Sequence, residues 1–475
     1  MLRDYQKKAI DQIRDEFISG NRKVLLRLAT GAGKTVCFTT MMKTAVANGK
    51  RCVMLVRGRS LVDQTHKRLL KENTPHGVFM ANHWARNLNQ PIQICSVDTV
   101  ISRQEFPPAD LLVIDEAHLA TSDAYKQVIE KYNKSYVVAV TATPYGKEPL
   151  RHLADSVVSP ISTEELMARG YLIRPRYFAP SAPDLKGIKT VAGDYANNQL
   201  HERMSNLAGD IVDTYKRLGE NRPALLFAVN INHSKSLCSE LNKSGIKAEH
   251  IDAEHDSKER QESISRLESG ETKVICSVGT MTTGVDIPKI GCLIMARPTK
   301  SYNLWIQMVG RGTRPVYPEG ADLSTDESRL DAIQNSIKKD FIVLDHAGNV
   351  TRHGFITDEP EVNLDGEEKS TKIKSPKTCK RCYLVYFGSD CPACGFVLAN
   401  KKRDIEIDRE KELVELQNMP LVNEIVLFVN RAKAEAKSKG YKRGWVYHKV
   451  KDAYGEEVAN ELFPKRTTPL PKWLK

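Results

Sequence analysis

Two short clusters near the N-terminal end have the residue types and order that handle phosphate. Ala29-Thr30-Gly31-Ala32-Gly33-Lys34-Thr35 follows a β-rich apolar run and precedes a helix-compatible segment. In that setting glycines let backbone N–H groups and a helix N-terminus approach a phosphate chain. Lys34 has the reach for β- and γ-phosphates, and the Thr35 hydroxyl can ligate Mg²⁺. Leu28 stands at the first glycine position of the GxxxxGK[ST] pattern, a position that does not itself hold phosphate. The second cluster, Asp115-Glu116-Ala117-His118, ends an apolar run over residues 111–114, where the ligands of open α/β sheets gather. There Asp115 can share the Mg²⁺ of Thr35, Glu116 can deprotonate a water aimed at the γ-phosphate, and His118 can sense the nucleotide state.

A third cluster is the spacing Cys379-x2-Cys382-x8-Cys391-x2-Cys394, with Gly395 after the second knuckle. Four thiolates suit tetrahedral Zn²⁺ with no open position, so the expected metal is structural and staples a segment too short to bury its own core. An Fe–S cluster is the main rival. Lys380, Arg381, Tyr383, Tyr386 and Phe387 surround the knuckles, where they either offer cations and rings to nucleic acid or pack against the metal site. Cys37, Cys52, Cys95, Cys238, Cys276 and Cys292 are scattered, mostly within apolar runs, and read as core packing.

The elements that must position these groups alternate between short apolar runs and helical periodicity, the pattern of parallel sheets with crossover helices. Candidate strands fall at residues 24–28, 52–56, 92–95, 111–114 and 136–140, and again at 224–229, 248–251, 273–277, 292–296 and 341–344. Between the sets a Pro-rich stretch over 160–183 reads as a hinge-like connection, broken by a helix that Ser162 caps. Residues 358–374 have the polarity of an exposed linker, and from about 403 onward the chain reads as helical, with Leu413, Leu416, Leu421, Ile425 and Phe428 as buried positions. The expected fold is α/β, two tandem parallel-sheet domains (1–175 and 176–357), then a linker with the cysteine module (358–402) and a basic helical region (403–475).

At 475 residues the chain exceeds one ordinary core. It has no apolar run that could cross a bilayer and no signal-like start, so a reducing, ATP-containing cytoplasm is expected. Charge is concentrated: residues 369–475 hold 23 Lys+Arg against 13 Asp+Glu, which is +10 of the total +12. That excess favours a polyanion such as nucleic acid, because neutralised phosphates release counterions. A solubilising tail is the bland alternative.

With these motifs in place, the chain resembles the superfamily 2 helicases over most of residues 1–350, and Asp115 to His118 matches their DEAH-type motif II. The resemblance implies two RecA-like domains. Leu2-Arg3-Asp4-Tyr5-Gln6 is similar to the Q motif, in which Gln6 would read the adenine edge with Arg3 beside the base. Thr141-Ala142-Thr143-Pro144 is similar to motif III. Residues 56–64 correspond to motif Ia, with Gly58 where many relatives have Pro, and residues 96–99 to motif Ib; these imply nucleic-acid contacts by Arg57, Arg59, Gln64, Ser96 and Thr99. Residues 277–288 look like motif V, implying Thr280 at nucleic acid and Gly284 and Asp286 at nucleotide. Gln307-Met308-Val309-Gly310-Arg311-Gly312-Thr313-Arg314 is similar to motif VI. Its two arginines are expected on one helical face, Arg314 as arginine finger with Arg311 and Gln307 in the same network. His233 and Arg260 also match family positions. The run from Val343 to Val350, the cysteine cluster and Gly444-Trp445 resemble the RadD-like branch of bacterial and phage DNA-repair helicases.

The resemblance therefore implies an ATP-dependent helicase using ATP, Mg²⁺ and Zn²⁺, acting on nucleic acid, with single-stranded or forked DNA preferred and a single-strand-binding or repair protein as partner in a bacterial or phage-infected cell. The alternatives are a duplex translocase without processive unwinding, an RNA helicase, and a nucleic-acid-binding adaptor whose motor is vestigial. The intact set of Lys34, Asp115, Glu116 and Arg314 argues against the last.

Overall fold

The computed structural model describes residues 2–145, 149–179, 208–281, 287–365, 376–386 and 391–396, with shorter stretches between 185 and 204 and between 428 and 463. The first sheet holds β1 (Lys23–Arg27), β2 (Cys52–Val56), β3 (Gly77–Phe79), β4 (Ile92–Ser96), β5 (Leu111–Asp115), β6 (Tyr136–Thr141) and β7 (Ser156–Val158). Their order is β3-β4-β2-β5-β6-β1-β7, and every pairing is parallel. All five residues of β2 and of β4 are buried, as a parallel sheet covered on both faces requires, which is why their sequences are near-continuous apolar runs.

The chain crosses to a second sheet at β8 (Pro175–Phe178), forms an antiparallel pair from β9 (Thr190–Val191) and β10 (Asp194–Tyr195), then continues through β11 (Ala224–Phe227), β12 (Ala248–Ile251), β13 (Val274–Ser277), β14 (Cys292–Met295) and β15 (Phe341–Asp345). The order is β12-β13-β11-β14-β15-β8, again all parallel. Two RecA-like α/β domains result. One apolar cluster runs without a break from Val24 and Leu26, through Leu172 and Ile306, to Leu225 and Phe227, so the two lobes share packing.

Residues 160–179 of the Pro-rich stretch hold regular structure. Its helix spans Thr163–Ala168, with Ser162 Oγ accepting from the Glu165 N–H at 3.0 Å. After it, β8 pairs with β15, Tyr177 opposite Val343. Of the segment read as an exposed linker, the described part also packs. Tyr302 Oη donates to the Asp358 carbonyl at 3.0 Å, Glu359 pairs with buried Arg27 of β1 and with Thr163, and Leu364 is buried among Leu150 and Leu153. Polar composition hid this strap, because the Asp358 and Glu359 carboxylates are held by protein groups while Glu361 and Asp365 stay exposed.

Residues 400–475 form a second compact unit. Within it the helix Trp445–Tyr454 buries Val446 and Val450 against Val429, Ala432 and Ala459, with Phe428 beside them. Leu413, Leu416, Leu421 and Ile425 lie outside the described residues. Among the described residues no helix is long and apolar enough to cross a membrane.

Candidate functional site

The loop after β1 is shaped by Gly31 and Gly33, at φ 86° and 84°, conformations that glycine adopts without strain. The N-terminal helix braces it. Tyr5 Oη and Gln6 Nε2 both donate to the Ala32 carbonyl, at 2.9 and 3.1 Å, while Gln6 Oε1 accepts the Arg3 backbone N–H at 3.0 Å. A Cβ on Gly33 would sit 2.4 Å from Gln6 Nε2, so the glycine is needed for close approach. The Gln6 amide is thus engaged with the loop as well as facing the cleft. The helix Lys34–Ala47 begins at this loop, aiming its N-terminus into a cavity of about 340 Å³.

Opposing groups line that cavity. Thr30, Lys34, Thr35, Asp115 and Glu116 come from the first lobe, and Gln307, Arg311 and Arg314 from the second. Burial and the neighbouring Glu116 charge push the Asp115 carboxyl up to about 7, against the pull of Lys34. Burial likewise lowers the Lys34 ammonium, with Glu116 and Asp115 resisting. Glu116 sits at φ 47°, an uncommon backbone for a non-glycine residue that collects at functional sites, and its N–H donates to Asp115 Oδ1 at 2.9 Å. Two packed carboxylates beside a buried ammonium leave a charge pattern that a divalent cation and a polyphosphate complete, so the donor set fits both.

His118 connects three motifs. Gln307 Nε2, which can only donate, lies 3.0 Å from His118 Nε2, so the ring proton is assigned to Nδ1. That nitrogen is 2.9 Å from Thr141 Oγ1, 3.3 Å from Thr143 Oγ1 and 3.5 Å from Glu116 Oε2. Burial lowers the His118 pKa, which keeps the ring neutral, as this pattern needs. A change at Glu116 can therefore reach the second lobe through one imidazole.

The two arginines do not share a helical face. The helix Tyr302–Val309 ends at Gly310, and Arg311 and Arg314 follow in a turn and the irregular segment after it. Close packing is the reason. A Cβ on Gly312 would lie 2.3 Å from Phe341 Cδ2, and one on Gly310 would lie 2.7 Å from Thr30 Cβ and 2.9 Å from the Ile306 carbonyl. The Arg314 stem passes 3.7 Å from where a Gly31 Cβ would stand, so the turn delivers its side chain to the phosphate-binding loop. Gly310→Ala is accordingly expected to wedge the lobes apart. Overpacking of about 1–3 kcal/mol should disfavour the closed lobes and slow single-turnover ATP hydrolysis roughly 5- to 100-fold; an unchanged rate would separate this contact from the chemistry.

Arg57 and Arg59 are exposed where the chain leaves β2. Gly58 between them has φ 87°, which a proline ring forbids, so the backbone here takes a path that Pro at this position could not. Gln64, expected at nucleic acid, lines the cavity between the lobes with Lys34 and Arg314. Ser96 and Thr99 are buried, with Thr99 Oγ1 accepting the Ala81 N–H at 3.1 Å. The Thr280 hydroxyl is 3.2 Å from Ser277 Oγ. Gly284 and Asp286 lie outside the described residues. His233 is buried with Nδ1 accepting the Val229 N–H at 3.3 Å, and Arg260 donates to the Ala253 carbonyl at 3.1 Å. Sequence reasoning missed Arg68, which lines the cavity with Leu61 and Gln64; spacings of three and four on one helix face were the available signal.

In the cysteine module, Sγ atoms of Cys379 and Cys394 are 3.6 Å apart, as are those of Cys382 and Cys391, and all four lie within 4.8 Å of one another. The edge of a tetrahedron built on Zn–S bonds of about 2.3 Å is about 3.8 Å, so the donors fit that ion. The cysteines are not disulfide-bonded. Gly395 at φ 65° makes the second knuckle. Strands β16 (Lys377–Thr378) and β17 (Val385–Tyr386) flank the first, and the Ala179 N–H donates to the Tyr383 carbonyl at 3.1 Å, tying the module to the second lobe. Tyr386 is buried; Phe387 lies outside the described residues.

Two RecA-like lobes closed over a glycine loop, a carboxylate pair and two arginines have the architecture of an ATP-hydrolysing enzyme. Residues 1–146 match the family described as Type III restriction enzyme, res subunit, and residues 208–315 match the Helicase conserved C-terminal domain. A 51.5 kDa protein of a Lactococcus phage is 25% identical over 414 residues, spanning 84% of this chain and 83% of that protein. The Saccharomyces cerevisiae protein IRC3, whose name proposes an ATP-dependent helicase, is 28% identical over 66% of this chain, which spans about half, 49%, of the yeast protein. The DNA-bound Type ISP restriction-modification enzyme LlaBIII shares the fold, with TM-score 0.51 at 16% identity over 73% of this chain and 31% of that one. The chain is a superfamily 2 helicase and an ATP-hydrolysing enzyme.

Proposed function

We propose that the protein is a DNA helicase of the DEAH-type, RadD-like branch, coupling ATP hydrolysis between its lobes to translocation along, or unwinding of, single-stranded or forked DNA in repair, recombination or replication. The observation that carries this reading is the single cleft that joins Lys34, Asp115 and Glu116 to Arg311 and Arg314. In it, the 29–35 loop and Lys34 cradle the phosphates, while Thr35 and Asp115 would hold Mg²⁺, which would supply positive charge to the phosphates. Glu116 accepts the proton of the attacking water, and Arg314, with Arg311 beside it, faces the γ-phosphate. Gln307 and His118 carry the change to the second lobe, and differing grips on one strand turn closure and opening into movement. The basic excess in residues 369–475 supports a polyanionic track.

ATP turnover titrated with single-stranded DNA, forks, duplex and RNA at fixed salt tests the reading. Single-stranded or forked DNA should stimulate at least about 10-fold more than RNA, and Lys34→Ala should abolish the response. Stimulation by RNA alone, or by none of the four, would reject it.

We further propose that Zn²⁺ occupies the four-cysteine site. Zinc measured by atomic absorption should be equimolar with purified chain and fall below half for Cys382→Ser; stoichiometric iron with visible absorbance would instead assign an Fe–S cluster.

A further inference from the structure

The loop between β3 and β4 holds an aromatic ring out of the protein. Trp84 is 80% exposed, although a ring of this kind ordinarily stabilises a fold by burying on the order of 150–250 Å². Its pose is built rather than loose. The buried His83 ring lies nearly parallel to it, 5.8 Å away at 19°, and buried His66 meets it edge-on at 5.0 Å and 76°. His83 is itself fixed: Nδ1 accepts the Ala85 N–H at 3.1 Å, and Nε2 lies 3.3 Å from Asp63 Oδ1. The turn closes through the Val78 N–H to the Ala85 carbonyl at 3.1 Å, with Asn82 at φ 56°.

The topology says what this ring faces. β3, β4 and β2 are successive parallel neighbours at one side of the first sheet, so the loops that follow them emerge along the same edge. The segments after these strands carry, in spatial order, Trp84, the buried Thr99 in the first turn of the helix Val97–Arg103, and the exposed pair Arg57 and Arg59. The Ala81 N–H to Thr99 Oγ1 bond of 3.1 Å ties the tryptophan turn to its neighbour. Arg86 and Arg103 lie over the Phe79 ring at the foot of the same turn, at 5.6 and 5.9 Å, and Glu105 offsets Arg86 in part at 3.4 Å. A fixed, exposed indole on the same sheet edge as the exposed Arg57 and Arg59 is a surface that takes a nucleobase while phosphates further along the strand meet the cations. We propose that Trp84 is a base-stacking platform for single-stranded nucleic acid, placed at the outer end of the row of loops after β2 and β4. The proposal rests on the nucleic-acid reading above and adds to it a residue that no helicase motif contains.

The test uses full-length protein and two labelled strands of equal length, oligothymidylate and an abasic sugar-phosphate polymer, read by fluorescence anisotropy. Trp84→Ala should weaken oligothymidylate binding about 5- to 100-fold and the abasic strand less than about 2-fold, whereas Trp84→Phe should recover most of the loss. An unchanged melting temperature checks that Trp84→Ala folds. Equal weakening on both strands would overturn the proposal in favour of a structural or backbone role. Wild-type binding of both strands by Trp84→Ala would overturn it while leaving the nucleic-acid reading intact, and would assign the ring to a protein partner. Failure of the unaltered protein to bind either strand would overturn both.

Discussion

Arg314→Ala should lower ATP turnover by about 10³- to 10⁵-fold, the range an arginine acting on the transferring phosphate supplies, while nucleotide affinity changes far less. The geometry motivates the asymmetry. Arg314 reaches the cleft from the second lobe and passes within contact distance of the Gly31 position, whereas the phosphate cradle is built from the first lobe alone. Its charge is therefore applied only when the lobes are together, and a group that acts on the closed state contributes to kcat more than to binding. Single-turnover hydrolysis beside analogue binding measures both quantities. A parallel loss of affinity and turnover would make Arg314 an ordinary phosphate ligand, and an unaffected rate would remove the second lobe from the chemistry.

Glu116→Gln should reduce turnover by about 10²- to 10⁴-fold, with ATP still bound and the enzyme trapped before hydrolysis. The substitution keeps the shape of the side chain and its unusual backbone angle but removes the proton acceptor. It also removes the charge that helps drive the Asp115 carboxyl up to about 7, so Asp115 should titrate closer to its ordinary range and ATP affinity should hold or rise. DNA-stimulated hydrolysis at the unaltered rate would exclude Glu116 as the base.

The strands most legible in the sequence were those whose physics is local. Residues 52–56 read as a strand and are β2 to the residue, because a buried parallel strand is a continuous apolar run bounded by polar turns; residues 248–251 are likewise β12, a half-buried edge strand that carries Glu249 and His250. The missed strands are short or chemically disguised: β3 and β7 have three residues each, too few for any period, and β8 begins with a proline in a stretch that reads as connection. At the site, the loop residues, the carboxylates and the arginines were all visible as motifs. The helical face assigned to Arg311 and Arg314 was not real, since two glycines end the helix to admit Thr30 and Phe341, and a contact between lobes leaves no periodic trace. The same holds for the histidine link between Gln307 and Thr141, whose partners are far apart in sequence.

The strap that leaves the second lobe beside Tyr302 and docks Glu359 against Arg27 has a mechanical consequence. Pulling that carboxylate from its dry seat would strand a guanidinium in the interior, a cost on the order of 3–5 kcal/mol. Swinging about it avoids the penalty. Glu359 thus anchors the strap to the first lobe, and in the translocation proposed above it would be the pivot about which the second lobe swings.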